Sequence, residues 1–154
     1  MSGTIQLYTD GASTGNPGPG GFGAILVYGK HEKEISKGYR LTTNNRMELL
    51  AVIEGLRSIK NPGIPVEIFS DSKYVVDAIQ KGWVFGWNTK GFKGKKNKDL
   101  WIEFLRLYPN FKIKMHWVKG HAGHFQNERC DVLATTAARD PDFVDEGYEK
   151  GWGE

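Results

Sequence analysis

Ile5, Leu7 and Thr9 alternate with Gln6, Tyr8 and Asp10, so the chain opens with a strand that ends at an aspartate. Residues 11–23 hold six glycines and two prolines and predict a loop or wide turn. An apolar strand follows at 24–28, and Gly29-Lys30 is placed to turn the chain into a polar strand over about 31–41. The period then changes. Leu49, Val52, Ile53, Leu56 and Ile59 keep helical spacing within 44–59, and Asn61-Pro62-Gly63 stops the run. Residues 66–70 read as a short buried strand leading to Asp71, with Ser72 set to cap a helix through about residue 79. Leu100, Trp101, Phe104, Leu105 and Tyr108 give another amphipathic helix. Ile113, Met115 and Trp117 alternate as a last strand, and 127–138 closes as an alanine-rich helix after a Gly/His loop. Three antiparallel strands followed by alternating helices and strands describe an α/β fold, a mixed sheet with helices on its faces.

Composition narrows the class without naming a function. The chain has 154 residues, 39% hydrophobic and 25% charged, which excludes a disordered, collagenous or coiled-coil protein. No repeat or linker interrupts it, so a single domain over 1–154 is expected, with an acidic tail from about 140 to 154. The longest aliphatic or aromatic run, 24–28, is far short of the roughly 18 residues that span a bilayer. The start lacks a basic segment and a long apolar segment, so no secretory signal is expected. A lone cysteine, Cys130, cannot form an internal disulfide and fits a reducing compartment. A cytoplasmic protein with no membrane partner is the expectation.

Charge is unevenly spread. Net charge is +3, yet 81–98 carries six lysines and no acid, while 139–154 carries six acids against two bases. A lysine block is ordinarily a solvated face. Here Trp83, Phe85, Trp87 and Phe92 lie inside it, and cations interleaved with flat rings are how a nucleic-acid surface is composed.

Taken singly, the candidate chemical residues have bland readings. Gly18-Pro19-Gly20-Gly21-Phe22-Gly23 fits a dinucleotide pattern, but a strand sequence follows it where a phosphate-binding helix is required. His116, His121, His124 and Cys130 have no zinc-finger spacing. Asp10 and Asp71 stand at strand ends, where open α/β sheets place ligand sites, although turn and cap roles also suit them. Glu48 reads as a solvated helix residue, and Asp131 near a helix start as a dipole partner.

The strings around them are more specific. Tyr8-Thr9-Asp10-Gly11, Gly15-Asn16-Pro17-Gly18-Pro19-Gly20-Gly21, Thr42-Thr43-Asn44-Asn45-Arg46-Met47-Glu48-Leu49 and Ser70-Asp71-Ser72-Lys73-Tyr74-Val75 come first. Trp117-Val118-Lys119-Gly120-His121-Ala122-Gly123-His124 and Asn127-Glu128-Arg129-Cys130-Asp131 follow. From about residue 5 to residue 148, in order and spacing, the chain resembles the bacterial ribonuclease HI (type 1 ribonuclease H) family.

The resemblance implies a ribonuclease H-like fold, a mixed five-stranded sheet with helices on both faces. It also implies a monomeric endonuclease that cuts the RNA strand of RNA–DNA hybrids, leaving 5′-phosphate and 3′-hydroxyl ends. Two Mg²⁺ ions, for which Mn²⁺ can substitute, would be held by Asp10, Glu48, Asp71 and Asp131. Asp10 would be shared, Glu48 and Asp71 would complete the leaving-group ion, and Asp131 the water-activating one. Hydrolysis of a phosphodiester needs an activated water and a stabilised oxyanion, and hard cations on carboxylate oxygens supply both. His121 matches a mobile-loop histidine that assists water handling or product release.

By the same resemblance, Asn16, Asn44 and Asn45 would meet the minor groove, and Thr43 with Asn45 a DNA phosphate. Trp83 and Trp87 would stack on DNA sugars, with Phe92, Lys93, Lys95 and Lys96 in a basic protrusion. Lys73 stands where Gln often makes a groove contact, which shifts that contact toward phosphate; the protrusion is several residues short, and Phe92 replaces a frequent Trp. The alternatives are a catalytically inactive hybrid-binding module and the ribonuclease H domain of a reverse transcriptase.

Overall fold

The alternation at the start of the chain forms a strand, but the strand does not stop at Asp10. In the computed structural model, which describes residues 3–119 and 125–153, β1 runs Ile5–Ser13 and β2 runs Gly18–Tyr28. Their antiparallel register pairs Asp10 with Gly23 and Ser13 with Gly20. Most of the glycine-rich segment expected to be a loop is therefore strand, and only 14–17 turns. The reason is steric. A Cβ on Gly21 would lie 2.5 Å from the carbonyl oxygen of Ala134, and one on Gly23 2.5 Å from that of Cys130. The glycines let a helix backbone lie directly on the sheet.

β3 (His31–Thr42), α1 (Asn44–Arg57), β4 (Val66–Ser70), α2 (Lys73–Gln80), α3 (Trp83–Thr89) and α4 (Lys98–Leu107) follow, then β5 (Ile113–Trp117), α5 (Phe125–Arg139) and α6 (Glu146–Glu149). The five strands are ordered β3-β2-β1-β4-β5. β1, β2 and β3 pair antiparallel, and β4 joins β1 and β5 in parallel. The mixed sheet is the one expected, and its two faces are covered by different helices. α1 lies on the face of Leu7, whose side chain meets Gly55, and α5 lies on the face of Gly21 and Gly23.

The main core fills the α1 side. Leu7, Leu49, Val52, Ile53, Leu56 and Ile68 are fully buried with Trp101 and Phe104. Trp101 is its hub: the indole N–H donates to the Tyr74 hydroxyl at 2.8 Å, and its ring meets those of Trp87 and Phe104 at 5.9 Å each. The expected cap is in place, Ser72 accepting from the Val75 N–H at 3.3 Å, and Thr43 caps α1 in the same way by accepting from the Arg46 N–H at 3.3 Å.

Two segments have structure that the sequence pattern did not announce. The basic block contains α3. The acidic tail folds back: the Phe143 N–H donates to the Gly38 carbonyl at 3.0 Å and the Arg40 N–H to the Phe143 carbonyl at 2.9 Å. This blunts the outer edge of β3.

A Gly21→Ala substitution should cost about 1–3 kcal/mol, because the added methyl meets main-chain atoms of α5 that cannot swing aside. Urea unfolding measures it; an unchanged midpoint would mean that α5 sits farther from the sheet.

Candidate active site

Parallel pairing brings the first two carboxylates together. Ile5 pairs with Val66 and Tyr8 with Phe69, so continuing the register past the last pair sets Asp10 level with Asp71. The rings beneath them follow the same alignment, Tyr8 stacking on Phe69 and Phe69 on His116 at 4.8 Å each. Glu48 arrives from α1. A Cβ on Gly11 would lie 2.4 Å from the Glu48 backbone nitrogen, so glycine lets α1 approach β1 at the level of Asp10.

The outcome is a tight set. Asp10, Glu48 and Asp71 each offer one carboxylate oxygen, all within 4.8 Å of one another. Asp10 and Glu48 are buried, and Asp71 is half-buried. Burial pushes the Glu48 carboxyl well above its usual range, and the neighbouring charges of Asp10 and Asp71 push it further. Glu48 Oε1 is buried with no hydrogen-bond donor among the described residues. Crowded hard oxygen donors and an unsatisfied buried acceptor fit a divalent cation.

Asp131 is not in this set among the described residues. It is half-buried on α5, one residue after Cys130. The Cys130 thiol donates to the Tyr8 carbonyl at 3.3 Å, which ties this part of α5 to β1 two residues before Asp10. Burial, with the Asp10 and Glu34 charges, pushes that thiol up and leaves it protonated. His121, with Gly120, Gly123 and His124, lies outside the described residues.

Four of the residues expected to meet substrate converge at the start of α1. Asn16, in the β1–β2 turn, accepts from the Asn44 N–H at 3.0 Å; Thr43 caps the helix; Asn45 is exposed in its first turn. In the basic block Trp83 is 48% exposed under the Lys81 ammonium at 5.2 Å, and half-buried Trp87 meets Lys95 at 4.9 Å. Lys93 and Lys96 are exposed. Lys73 stands 4.6 Å from the centre of the Trp117 ring.

Phe92 departs from expectation. It is only 4% exposed, packed in the main core, with left-handed backbone (φ 60°) and its N–H on the Trp87 carbonyl at 2.8 Å. A phenyl ring in a short polar loop gains more from burial than from solvent, and it leaves no face for a substrate. It supports the Trp87 main chain instead.

Sequence reasoning also passed over Arg46. This guanidinium, inside the Asn44–Leu49 string, is 1% exposed and directs hydrogen bonds to Asp99, Asp145 and Asn97. An arginine between Asn45 and Met47 carries no signal of its three distant partners.

Known proteins share this fold. The RNase H family model matches residues 2–139. The ribonuclease H of Idiomarina loihiensis is 52% identical over 151 residues, covering 94% of this chain and 95% of its own. The ribonuclease HI of Pasteurella multocida is 50% identical over 154 residues, covering 97% and 99%. Among solved structures, LC9-RNase H1, a type 1 RNase H with the type 2 active-site motif, superposes with a TM-score of 0.81 at 34% identity, covering all of this chain and 82% of that one. LC11-RNase H1, solved in complex with an RNA/DNA hybrid, superposes with a TM-score of 0.70 at 25% identity, covering 88% and 96%.

Proposed function

The chain belongs to the ribonuclease H family, and from that premise we propose that its carboxylate cluster is the centre of a two-metal-ion endonuclease. The protein is a ribonuclease H, an enzyme that hydrolyses the RNA strand of RNA–DNA hybrids. The observation that carries the mechanism is the meeting of Asp10, Glu48 and Asp71 within 4.8 Å, with the buried Glu48 Oε1 lacking a donor among the described residues.

When bound, two Mg²⁺ ions, or Mn²⁺ in their place, would supply an activated water and charge neutralisation for the departing oxyanion, and the products would carry 5′-phosphate and 3′-hydroxyl ends. Asp10 would be shared between them, Glu48 and Asp71 would complete one, and Asp131, from α5, the other. Burial of Asp10 and Glu48 limits screening by water, so a cation would be held there more strongly than at an exposed pair. His121 is assigned to water handling or product release. We place the enzyme in the cytoplasm as a monomer, with residues 1–154 acting as one unit; among the described residues, no helix is long and apolar enough to cross a membrane.

For the hybrid, Asn16, Asn44 and Asn45 would offer amides to groove acceptors and 2′-hydroxyls, and Thr43 with Asn45 would grip a phosphate. Trp83 and Trp87 would stack on sugars of the DNA strand, and Lys73, Lys93, Lys95 and Lys96 would pair with phosphates. The deciding assay compares a labelled RNA–DNA hybrid with single-stranded RNA, double-stranded RNA and duplex DNA, with and without Mg²⁺. Cleavage confined to the RNA of the hybrid and dependent on the cation is expected; equal cleavage of double-stranded RNA would overturn the reading.

Replacing Lys93, Lys95 and Lys96 together with alanine should weaken hybrid binding and raise KM more than it lowers kcat. The slope of log Kd against log salt should flatten by about 0.7–0.9 for each lysine–phosphate pairing removed. Trp87→Ala should weaken binding by about 1–3 kcal/mol at a nearly unchanged slope, since stacking releases no counterions. An unaltered slope in the triple variant would make the block a solvated loop.

A further inference from the structure

We propose that Trp117 is a positioning residue for the reaction: it seats Lys73 as a phosphate-gripping cation beside the carboxylates and fixes the main chain of Asp71. The inference rests on the ribonuclease reading of the cluster. Trp117 is the last residue of β5 and the register partner of Ser70, the last of β4. Its indole serves two neighbours. The Nε1–H donates to the Asp71 carbonyl at 3.3 Å, and the ring lies 4.6 Å from the Lys73 ammonium.

Both interactions sit where the sheet can no longer hold the chain. The final bond from this end of β5 to β4 runs from the Val118 N–H to the Ser70 carbonyl at 2.8 Å. Asp71 lies one residue beyond β4, and the Trp117 side chain extends the hold of β5 to its carbonyl. A carboxylate that shares a cation must keep its direction while the charge around it changes, and groups behind the ligand supply that constraint.

Lys73 occupies a position that the helix itself disfavours. It is the first residue of α2, whose first turn holds no acid, so the ammonium faces the positive end of the helix dipole. The electron-rich face of Trp117 offsets this and holds the charge two residues from Asp71. Held two residues along the chain from Asp71, the ammonium is offered to a phosphate of a strand bound at the carboxylates. The chemistry of the seat is thus recognition of a phosphodiester oxygen, independent of base sequence.

Three variants separate the two roles: Lys73→Ala, Trp117→Phe and Trp117→Leu. Hybrid binding is measured across a salt series without divalent cation, Mn²⁺ binding by calorimetry without nucleic acid, and thermal unfolding alongside. Lys73→Ala should flatten the salt slope by about 0.7–0.9, with its kinetic effect mainly on KM. Trp117→Phe keeps a ring for the ammonium but has no N–H; its salt slope should match the parent's while Mn²⁺ affinity falls about tenfold. Trp117→Leu should show both effects. Parental Mn²⁺ affinity in Trp117→Phe, or a parental salt slope in Trp117→Leu, overturns the inference. Because Lys73 is an exposed side chain, Lys73→Ala tests the seat even if a Trp117 variant unfolds, and a parental slope there also overturns it. Failure of the parent protein to cut the hybrid would instead overturn the ribonuclease reading.

Discussion

Asp10→Asn is expected to abolish hydrolysis, lowering turnover in Mg²⁺ on the order of 10³-fold or more, while hybrid binding and the fold persist. The amide keeps the shape of the side chain and most of its hydrogen bonding, including acceptance from the Gly11 N–H at 2.9 Å. It removes one of the two carboxylate charges that act on Glu48. The same change should leave the metal-free protein at least as stable as the parent at neutral pH. Glu48 is held well above its usual range by burial and then by the charges of Asp10 and Asp71. A carboxyl raised in the folded state binds more protons there than in the unfolded chain, so metal-free stability falls as pH rises from about 4.3 through the raised value. Without the Asp10 charge that fall should shrink. Thermal melts from pH 4 to 8 in chelator measure the second effect, and single-turnover cleavage the first. Turnover above a few per cent of the parent's would sink the assignment of Asp10.

The second large effect is on stability and lies in the tail. Asp145→Ala should cost about 3 kcal/mol, lowering the melting temperature by roughly 6–12 °C. Arg46, 1% exposed, has five N–H donors and five acceptors: Asp145 at 2.7 and 2.9 Å, Asp99 at 2.8 and 2.6 Å, and Asn97 at 3.3 Å. Asp145 also accepts from the Thr42 hydroxyl at 2.6 Å and the Tyr148 N–H at 3.1 Å. Deleting its carboxylate strands two guanidinium donors and a buried hydroxyl. Asp99 still neutralises part of the charge, which sets the cost near the lower end for a broken buried pair.

The pH dependence provides a check. Burial alone would push the Asp145 carboxyl up, but hydrogen bonds from Arg46 and Thr42 outweigh it and hold it below the usual carboxylate range. Its contribution is therefore present above about pH 4 and lost as pH falls through the lowered value. The gap between parent and variant should narrow in acid; a melting temperature within about 2 °C of the parent's at pH 7 would dismiss the network as an anchor.

Much of this molecule was legible in one dimension, and the limits of that reading are physical. Period-two alternation at 5–10 and helical spacing at 49–56 report which side of each segment is buried, because burial is imposed residue by residue along the chain. From this came the succession of five strands and most of the helices between them. The motif strings, through the family they resemble, supplied Asp10, Glu48, Asp71 and Asp131 as one chemical group before any geometry existed; the fold brings the first three within reach of one another, and Asp131 is outside that set among the described residues.

What the pattern did not contain were relations between distant segments. Glycines at 21 and 23 spell a loop locally; only the backbone of α5, more than a hundred residues later, makes them strand. Phe92 looks available in a lysine-rich stretch until the core of Trp87 and Trp101 gives its ring a place to go. Arg46 and Asp145 are ninety-nine positions apart, and neither residue type predicts burial without the other. The sequence by itself determined the five strands, their order, most of the helices and the three carboxylates that the fold gathers, since each is written in local spacing or a local string. Tertiary structure decided which glycines touch a helix, which aromatic faces remain exposed and where the buried charges pair, because close packing and low dielectric act between segments that only the fold brings within reach.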